Sequence, residues 1–485
     1  MILRVMNHGF HYEMENLCRV FYPNEKITVT DSAEGTDDKT VETAVNGSDI
    51  TVRCMLDGRE YLQSAAAGEN EDKELKMAQL LYAALQQATG YTSPWGVLTG
   101  VRPSKLMTKL INENGREEAM RYFTQDLLVS EEKTALAVSV AEEENGVIAL
   151  SRPESFSLYI SIPFCPSRCS YCSFVSHSIT SPQAKKLLPA YLDCLCEEIR
   201  ENGALAAELG LKLESIYFGG GTPSVLEASQ LDRLCTEIER CFDLSALREY
   251  TVECGRPDTI TLPKLRTLKM HGVRRISINP QTFSQEVLDN VGRRHTVEQA
   301  VSAYKLAKAT GFDVINMDLI AGLTGDTVEG FCRSVDTAVT LAPENITVHS
   351  LAIKRSSEMG EQGAEVADGK DAAAMLDYVQ KRLTAAGYLP YYMYRQSKCV
   401  GNLENVGWAK PGKDCLYNVF MMEECHTVLA AGAGAVTKLK APRGEYIERI
   451  FNFKYPYEYI SRFDELTERK ERIKEFYAAY KIEEA

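Results

Sequence analysis

Over residues 150–355 the sequence alternates short apolar runs with longer segments whose apolar residues recur every three or four positions. These are the periods of strands and of helices, respectively. Strands separated by helices of this length form parallel βαβ units with right-handed crossovers. The pattern predicts an α/β fold with a partial (β/α)6 barrel, whose functional residues lie at the C-terminal ends of the strands. The six predicted strands are 158–162, 215–218, 250–253, 275–278, 314–319 and 346–351.

Three cysteines follow the first predicted strand at intervals of four and three residues, namely Cys165, Cys169 and Cys172. Thiolates are soft ligands that suit zinc or an iron–sulfur cluster, and a short loop lets them converge on one metal centre. A structural zinc site takes four ligands, usually with a second Cys or His pair. His177 is near, but the sequence has no second Cys-x-x-Cys. The spacing therefore favours a four-iron cluster with one iron open to another ligand.

The stretch 159–174 resembles the signature of the radical S-adenosylmethionine enzymes. It contains Cys-x-x-x-Cys-x-Tyr-Cys, preceded by Tyr-x-x-Ile-Pro-Phe-Cys. The longer string is similar to that of the oxygen-independent coproporphyrinogen III dehydrogenases and the related haem chaperones. The resemblance covers residues 156–354 clearly and implies a radical SAM barrel. It also implies a [4Fe-4S] cluster on the three cysteines, with S-adenosylmethionine (SAM) at the open iron. The added N-terminal domain makes the chain most like the HemZ-like branch.

The same resemblance implies SAM contacts at the ends of successive strands. The Gly-Gly-Gly-Thr-Pro run is similar to the loop that holds the amino group of SAM, and glycines leave backbone polar groups uncovered. The resemblance also gives an aromatic residue that packs on the cofactor and an acid that faces the ribose. It further gives a glutamine after strand four, an arginine that meets the methionyl carboxylate and an acid at the end of strand five. The residues are Tyr159, Gly220, Gly221, Thr222, Glu253, Gln281, Arg293 and Asp318. Taken singly, each residue is explained equally well as part of an ordinary turn or as an exposed charge. Because the residues occur in this order at successive strand ends, they support one another.

Composition limits the class of protein. The formal net charge of −14 argues against wrapping nucleic acid, and no stretch is long and apolar enough for a membrane span. Fourteen cysteines without a secretory signal predict a reducing, cytoplasmic location in which thiols are available for metals. A small anionic ligand needs only a local cluster of basic residues, so the net charge does not argue against one.

Three further units are predicted outside the barrel, which is assigned to residues 151–370. Residues 1–70 read as a small α+β unit, and residues 71–150 change to a helical period. Residues 371–485 are predicted to form a C-terminal α+β domain on the substrate side, with a helical cap. Loop 93–105 could approach an anionic partner through its Arg and Lys residues, but a packing junction is the preferred interpretation.

The C-terminal part contains four tyrosines within residues 388–394. They offer a broad apolar face with polar tips, which suits stacking on a flat macrocycle. A strand with aromatic core residues and a solvated basic edge explains the pattern equally well. Basic side chains that could meet propionates through charge-assisted bonds are Lys354, Arg355, Arg395 and Lys398.

The resemblance implies oxidative decarboxylation of coproporphyrinogen III propionates to vinyl groups, giving protoporphyrinogen IX, with an electron donor such as flavodoxin or ferredoxin. Three places depart from the family pattern. Ser161 replaces a histidine, Phe174 replaces an extra cysteine, and residues 417–422 replace the His-Asn-x-x-Tyr-Trp segment of the chaperones. The alternatives are a haem-trafficking protein without decarboxylase activity and a radical SAM enzyme acting on another substrate, such as RNA.

Overall fold

A five-stranded sheet forms the N-terminal unit of the computed structural model, which describes residues 1–32, 37–174, 177–365, 369–396 and 399–481. The strand order is β2-β1-β3-β4-β5, with β1 parallel to β2 and β3, and the remaining pairs antiparallel. Alternate residues of β4 are buried against the helices. The elements are β1 Ile2–Met6, α1 His11–Phe21, β2 Thr28–Thr30, β3 Thr40–Asn46, β4 Asp49–Leu56, β5 Arg59–Ala66 and α2 Lys73–Thr89.

A helical segment connects this unit to the barrel. It consists of α3 Pro103–Asn114, α4 Arg116–Arg121, a π-helical turn Tyr122–Asp126 and α5 Glu131–Ile148. Local sequence explains where these helices begin. Proline opens α3 at a position whose N–H has no intrahelical partner, and the Ser130 side chain caps α5 by accepting from the N–H of Lys133.

The six predicted barrel strands are confirmed as parallel neighbours in one sheet. Both faces of these strands are covered, which is why they read as apolar runs. The strands and the short pair after the first of them are β6 Ser155–Ile162, β7 Phe164–Cys165, β8 His177–Ser178, β9 Lys212–Gly220, β10 Glu249–Glu253, β11 Arg275–Ser277, β12 Val314–Ala321 and β13 Asn345–Ser350. The helices between them are α6 Pro182–Glu208, α7 Ala228–Cys241, α8 Leu262–Met270, α9 Gln285–Asn290, α10 Val297–Thr310 and α11 Val328–Leu341.

C-terminal strands extend the barrel sheet at both edges, which the sequence did not predict. The sheet has 11 strands in the order β14-β15-β13-β12-β11-β10-β9-β6-β16-β17-β18. Strand β15 is antiparallel to β13, whereas β16 is parallel to β6. The added strands are β14 Leu389–Arg395, β15 Glu404–Ala409, β16 Thr427–Ala431, β17 Val436–Lys440 and β18 Ile447–Phe451. The remaining helices are α12 Glu358–Glu361, α13 Gly369–Ala385, α14 Leu416–Glu423, α15 Pro456–Ser461 and α16 Phe463–Lys481.

The core runs from the N-terminal sheet through the barrel as one cluster of buried apolar side chains, with a second, smaller cluster around Tyr391 and Phe420. Apolar burial on this scale is the main stabilising contribution to a chain of this length. Within the described ranges, the helices are all too short or too polar to cross a membrane.

Loop 93–105 is a packing junction between the helical segment and the sheet edge. Trp95 is fully buried, and its Nε1 donates to Glu404 Oε2 at 2.6 Å. The Arg395 guanidinium lies over the Trp95 ring at 5.0 Å and donates to the Leu98 carbonyl at 2.8 Å. The prediction that Arg395 meets propionates is therefore wrong, because its charge is used inside this junction. Burial lowers the pKa of Arg395 to about 10.

Candidate active site

A cavity of about 380 Å³ lies at the C-terminal ends of the barrel strands. The structure brings every residue predicted for the site to its lining. These residues are Tyr159, Cys165, Cys169, Cys172, Gly220, Gly221, Thr222, Glu253, Gln281, Arg293 and Asp318. The carboxyl ends of parallel strands meet at one edge of a sheet, which explains why residues so far apart in sequence share one cavity.

The cysteine loop is tied to the glycine turn that follows β9. The Thr222 N–H donates to the Phe164 carbonyl at 2.8 Å, and the Thr222 hydroxyl lies 3.3 Å from Cys165 Sγ. Burial raises the pKa of Cys172 to about 11. Among the described residues, no three His, Cys, Asp or Glu side chains are grouped around a point as ligands of one metal ion. A four-iron cluster does not need such a grouping, because each of its thiolate ligands binds a different iron around the cube.

Two glycines of the turn after β9 are required by their surroundings. A Cβ on Gly221 would lie 2.6 Å from the Phe164 carbonyl oxygen and 2.8 Å from that of Ile162. Gly220 has a φ of +99°, where side chains are strained. The turn is therefore a cradle of bare backbone beside the cysteines, with the N–H groups of Gly221 and Thr222 donating to the carbonyls of Ile162 and Phe164.

A buried cation without a carboxylate partner faces the cysteine loop. Arg293 Nη1 lies 3.1 Å from the Tyr171 hydroxyl, and its Nη2 donates to the carbonyls of Gly255 and Asn279 at 2.9 and 2.7 Å. In the described part of the chain no acidic side chain lies within ion-pair distance of it, and its Nε has no hydrogen-bond partner. A buried charge needs compensation, so this end of the cavity fits an anionic group such as the methionyl carboxylate.

An acid in the lining of the same cavity lies against aromatic rings. Glu253 Oε1 accepts from the Tyr217 hydroxyl at 2.6 Å. Burial raises the pKa of Glu253 to about 7, in spite of that hydrogen bond. The ring of Tyr417 stacks on Tyr217 at 4.4 Å and on Tyr159 at 6.1 Å. Tyr417 itself is buried behind these rings, and segment 417–422 reaches the cavity lining through Asn418.

Unpartnered polar atoms in the cavity lining point to a polar ligand. Ser277 Oγ, Asn279 Oδ1 and Gln281 Oε1 are buried at the cavity and have no hydrogen-bond partner. Gln281 also has a φ of +68°, a conformation that is strained for residues other than glycine. Unsatisfied buried groups and backbone strain are both costly, and they concentrate at ligand-binding sites. The two amide oxygens are acceptors, and together with the hydroxyl they fit the ammonium and hydroxyl groups of SAM.

Sequence reasoning missed several polar residues of the cavity lining, among them three that surround Asp318. Asn316 Nδ2 donates to Asp318 Oδ1 at 2.7 Å, and Thr347 donates to Asn316 at 3.0 Å. His349 Nε2 lies 3.8 Å from Asp318 Oδ2, and its Nδ1 lies 3.5 Å from the Tyr394 hydroxyl. The signal that could have found them is polar residues at alternate positions of otherwise apolar strands, since such positions face the same side.

Two departures from the family pattern have different positions in the structure. Ser161 is buried and donates to the Ala433 carbonyl at 2.8 Å, so its side chain connects β6 to the turn after β16 rather than lining the cavity. Phe174 lines the cavity mouth and is 65% exposed. Only the second position is therefore available to a ligand in the cavity.

The tyrosines and basic residues predicted to meet the substrate also divide into residues that line the cavity and residues that do not. Tyr392 and Tyr394 line the cavity and stack at 6.2 Å, whereas Tyr388 and Tyr391 are buried in the core. The stretch is therefore partly a substrate-side face and partly a core strand. Among the basic candidates, Lys354 lines the cavity and Arg355 is exposed outside its lining, while Lys398 lies outside the described residues.

Similarity to known proteins identifies the family of the chain. Residues 159–338 match the family model of the Radical SAM superfamily. The chain is 36% identical over 477 residues to the oxygen-independent coproporphyrinogen-III oxidase-like protein HemZ of Bacillus subtilis (strain 168), which covers 95% of this chain and 94% of that protein. It is 31% identical over 306 residues to the Heme chaperone HemW of Haemophilus influenzae, covering 63% and 75%. Coproporphyrinogen III oxidase (HemN) from Escherichia coli superposes with a TM-score of 0.52 at 25% identity, covering 66% and 72%.

Proposed function

The chain belongs to the radical SAM superfamily and, within it, to the family of the coproporphyrinogen-III oxidase-like protein HemZ, and on this premise we propose that it converts coproporphyrinogen III to protoporphyrinogen IX. Its cofactors are those of the superfamily, a [4Fe-4S] cluster and SAM. The observation that carries the proposal is a cavity with two walls. One wall holds the predicted cofactor residues, and the other holds aromatic and polar side chains from the C-terminal strands.

The cofactor wall accounts for SAM binding residue by residue. Cys165, Cys169 and Cys172 would hold the cluster, and Arg293 would pair with the methionyl carboxylate. The cradle of the glycine turn would accept the amino group, and Glu253 would bind the ribose hydroxyls. When bound, SAM supplies a radical after reduction at the cluster, and the protein positions and shields it. A reducing cytosol and a donor such as flavodoxin or ferredoxin complete the proposal.

The substrate wall suits a flat macrocycle with carboxylate arms. Tyr392 and Tyr394 present aromatic faces, and their stacking keeps the rings nearly parallel, at 14°. Lys354 and His349 line the same cavity and are donors suited to propionates. Each propionate that becomes vinyl loses carbon dioxide, one hydrogen atom that passes to the radical supplied by SAM, and one electron that a separate one-electron acceptor takes up. The chain's part in that reaction is to hold one propionate beside the cofactor and to keep water out.

The proposal is tested by anaerobic incubation of the reconstituted protein with SAM, dithionite and coproporphyrinogen III. We expect protoporphyrinogen IX, detected as protoporphyrin after oxidation, with SAM consumed in proportion. Haem binding without decarboxylated product would instead favour the trafficking alternative. SAM cleavage without any change in the porphyrin would reject coproporphyrinogen III as the substrate but would support a radical SAM enzyme acting on another substrate.

We expect the affinity for SAM to fall as the pH is lowered through about 7, where Glu253 gains a proton. The carboxylate accepts two hydroxyl bonds, whereas the protonated form has lost an acceptor. Affinity should drop by about tenfold for each pH unit below the pKa, if the ionised form alone binds well. Anaerobic SAM titrations between roughly pH 6 and 8.5 measure this, a range that brackets the shifted group.

The matched control is Glu253→Gln, which keeps the shape of the side chain and cannot ionise. It should bind SAM more weakly than the unmodified protein at high pH, with an affinity that no longer depends on pH over this range. A wild-type affinity that is constant across the range would contradict the assignment of Glu253 to the ribose.

A further inference from the structure

Two buried arginines face the same cysteine. Arg256 Nη1 and Arg293 Nη1 each lie 4.0 Å from Cys169 Sγ. The resemblance to the family gives Arg293 a role at the methionyl carboxylate but gives none to Arg256. Arg256 is 3% exposed and lines the cavity, so its charge is desolvated beside the cysteine loop.

Arg256 is held in one orientation by partners on both sides. Its Nη1 also donates to the carbonyl and hydroxyl oxygens of Ser167 at 3.3 and 3.1 Å. Its Nε and Nη2 donate to the two carboxylate oxygens of Asp258 at 3.1 and 3.2 Å. A bidentate pair of this kind fixes the plane of the guanidinium. The pair therefore connects the loop after β10 to the cysteine loop and aims one N–H at the sulfur.

We propose that the Arg256–Asp258 pair sets the reduction potential of the cluster. Reduction adds a negative charge to a group that thiolates already make negative. A cation and an N–H donor at a ligating sulfur stabilise the reduced form and raise the potential. The Asp258 carboxylate partly offsets that cation. Arg256 therefore raises the reduction potential and Asp258 lowers it. Arg256 is a positioning residue, because it acts on the cluster through the Cys169 sulfur.

This inference rests on Cys169 as a cluster ligand and is independent of the substrate. If the porphyrin proposal fails, the cluster and its potential can still be measured. A purely structural pair predicts a different result, because loss of either partner would loosen the same loop. Only an electrostatic role makes the potential move in opposite directions for the two residues.

The test is a redox titration of the reconstituted, SAM-free cluster, followed by electron paramagnetic resonance. For Arg256→Gln we expect the equilibrium constant for one-electron reduction to fall by about tenfold, which is a shift of about 59 mV to lower potential. Asp258→Asn should shift the midpoint to higher potential. Arg256→Lys keeps the positive charge but loses the planar guanidinium that bonds to both carboxylate oxygens. Its midpoint potential should therefore lie between those of the wild type and Arg256→Gln.

Arg240→Gln is the control, because this arginine is exposed on α7 and pairs with Glu237 outside the cavity lining. Its midpoint should equal that of the wild type. An unchanged midpoint in Arg256→Gln at full cluster content would overturn the proposal. So would shifts of the same sign in Arg256→Gln and Asp258→Asn. If Arg256→Gln does not take up a cluster, the direction of the shift in Asp258→Asn decides.

Discussion

Replacing Cys165, Cys169 or Cys172 by alanine is expected to abolish both the brown absorbance of the cluster and the reductive cleavage of SAM. In the proposed site each thiolate would hold its own iron, and a site with three protein ligands has none to spare. The effect is therefore a loss of cofactor rather than a graded fall in rate. Iron content and visible absorbance of the anaerobically reconstituted variants measure the first effect, and chromatography of the SAM products measures the second.

Cys332→Ala is the matched control for these variants. Cys332 is a half-buried thiol on α11 and does not line the cavity. It should retain iron, colour and SAM cleavage, which separates loss of a ligand from loss of any cysteine. A variant of the cysteine loop that kept both cluster and cleavage would rule out its cysteine as a ligand.

Glu404→Ala is expected to lower the free energy of unfolding by about 3–5 kcal/mol, the usual effect of removing one member of a buried ion pair. Lys133 Nζ lies 2.9 Å from Glu404 Oε1, and the two side chains are 1% and 2% exposed. The substitution leaves that ammonium buried and also removes the acceptor of the Trp95 indole. Urea denaturation of the apoprotein measures the change.

The location of this pair gives the prediction its functional meaning. Lys133 lies on α5 and Glu404 on β15, so the pair joins the helical segment to the edge of the barrel sheet. Strand β14, which pairs with β15, supplies Tyr392 and Tyr394 to the cavity. We infer that the helical segment supports the substrate wall.

Two controls distinguish a buried charge from a general loss of packing. Asp377→Ala removes the second partner of Lys133, at 3.1 Å, but Asp377 is 47% exposed, so the expected cost is at most about 1 kcal/mol. The double variant Lys133→Met with Glu404→Leu should recover most of the loss, because no buried charge is left unpaired. Wild-type stability in Glu404→Ala would contradict the prediction.

Much of the barrel could be predicted because its signals are local. Strands covered on both faces are apolar runs, and a turn such as Gly220–Thr222 shows its backbone requirement in its composition. The order of the site residues along the chain followed the order of the strands. His349 was missed although it alternates with Thr347 along β13, because the role of that polar face depends on Asp318 lying on the neighbouring strand.

By itself, the sequence determined the α/β class, the three-cysteine loop and the set of residues at the strand ends. The first two depend on spacing and periodicity over a few tens of residues, and the third follows from the resemblance to the radical SAM family. Only the tertiary structure decided that β16 joins β6, that Arg395 lies in the core, and that Arg256 meets Cys169. Such contacts join distant residues, as in the Trp95–Glu404 hydrogen bond across 309 positions. Their energies depend on which surfaces become neighbours after folding, and local propensity does not encode that choice.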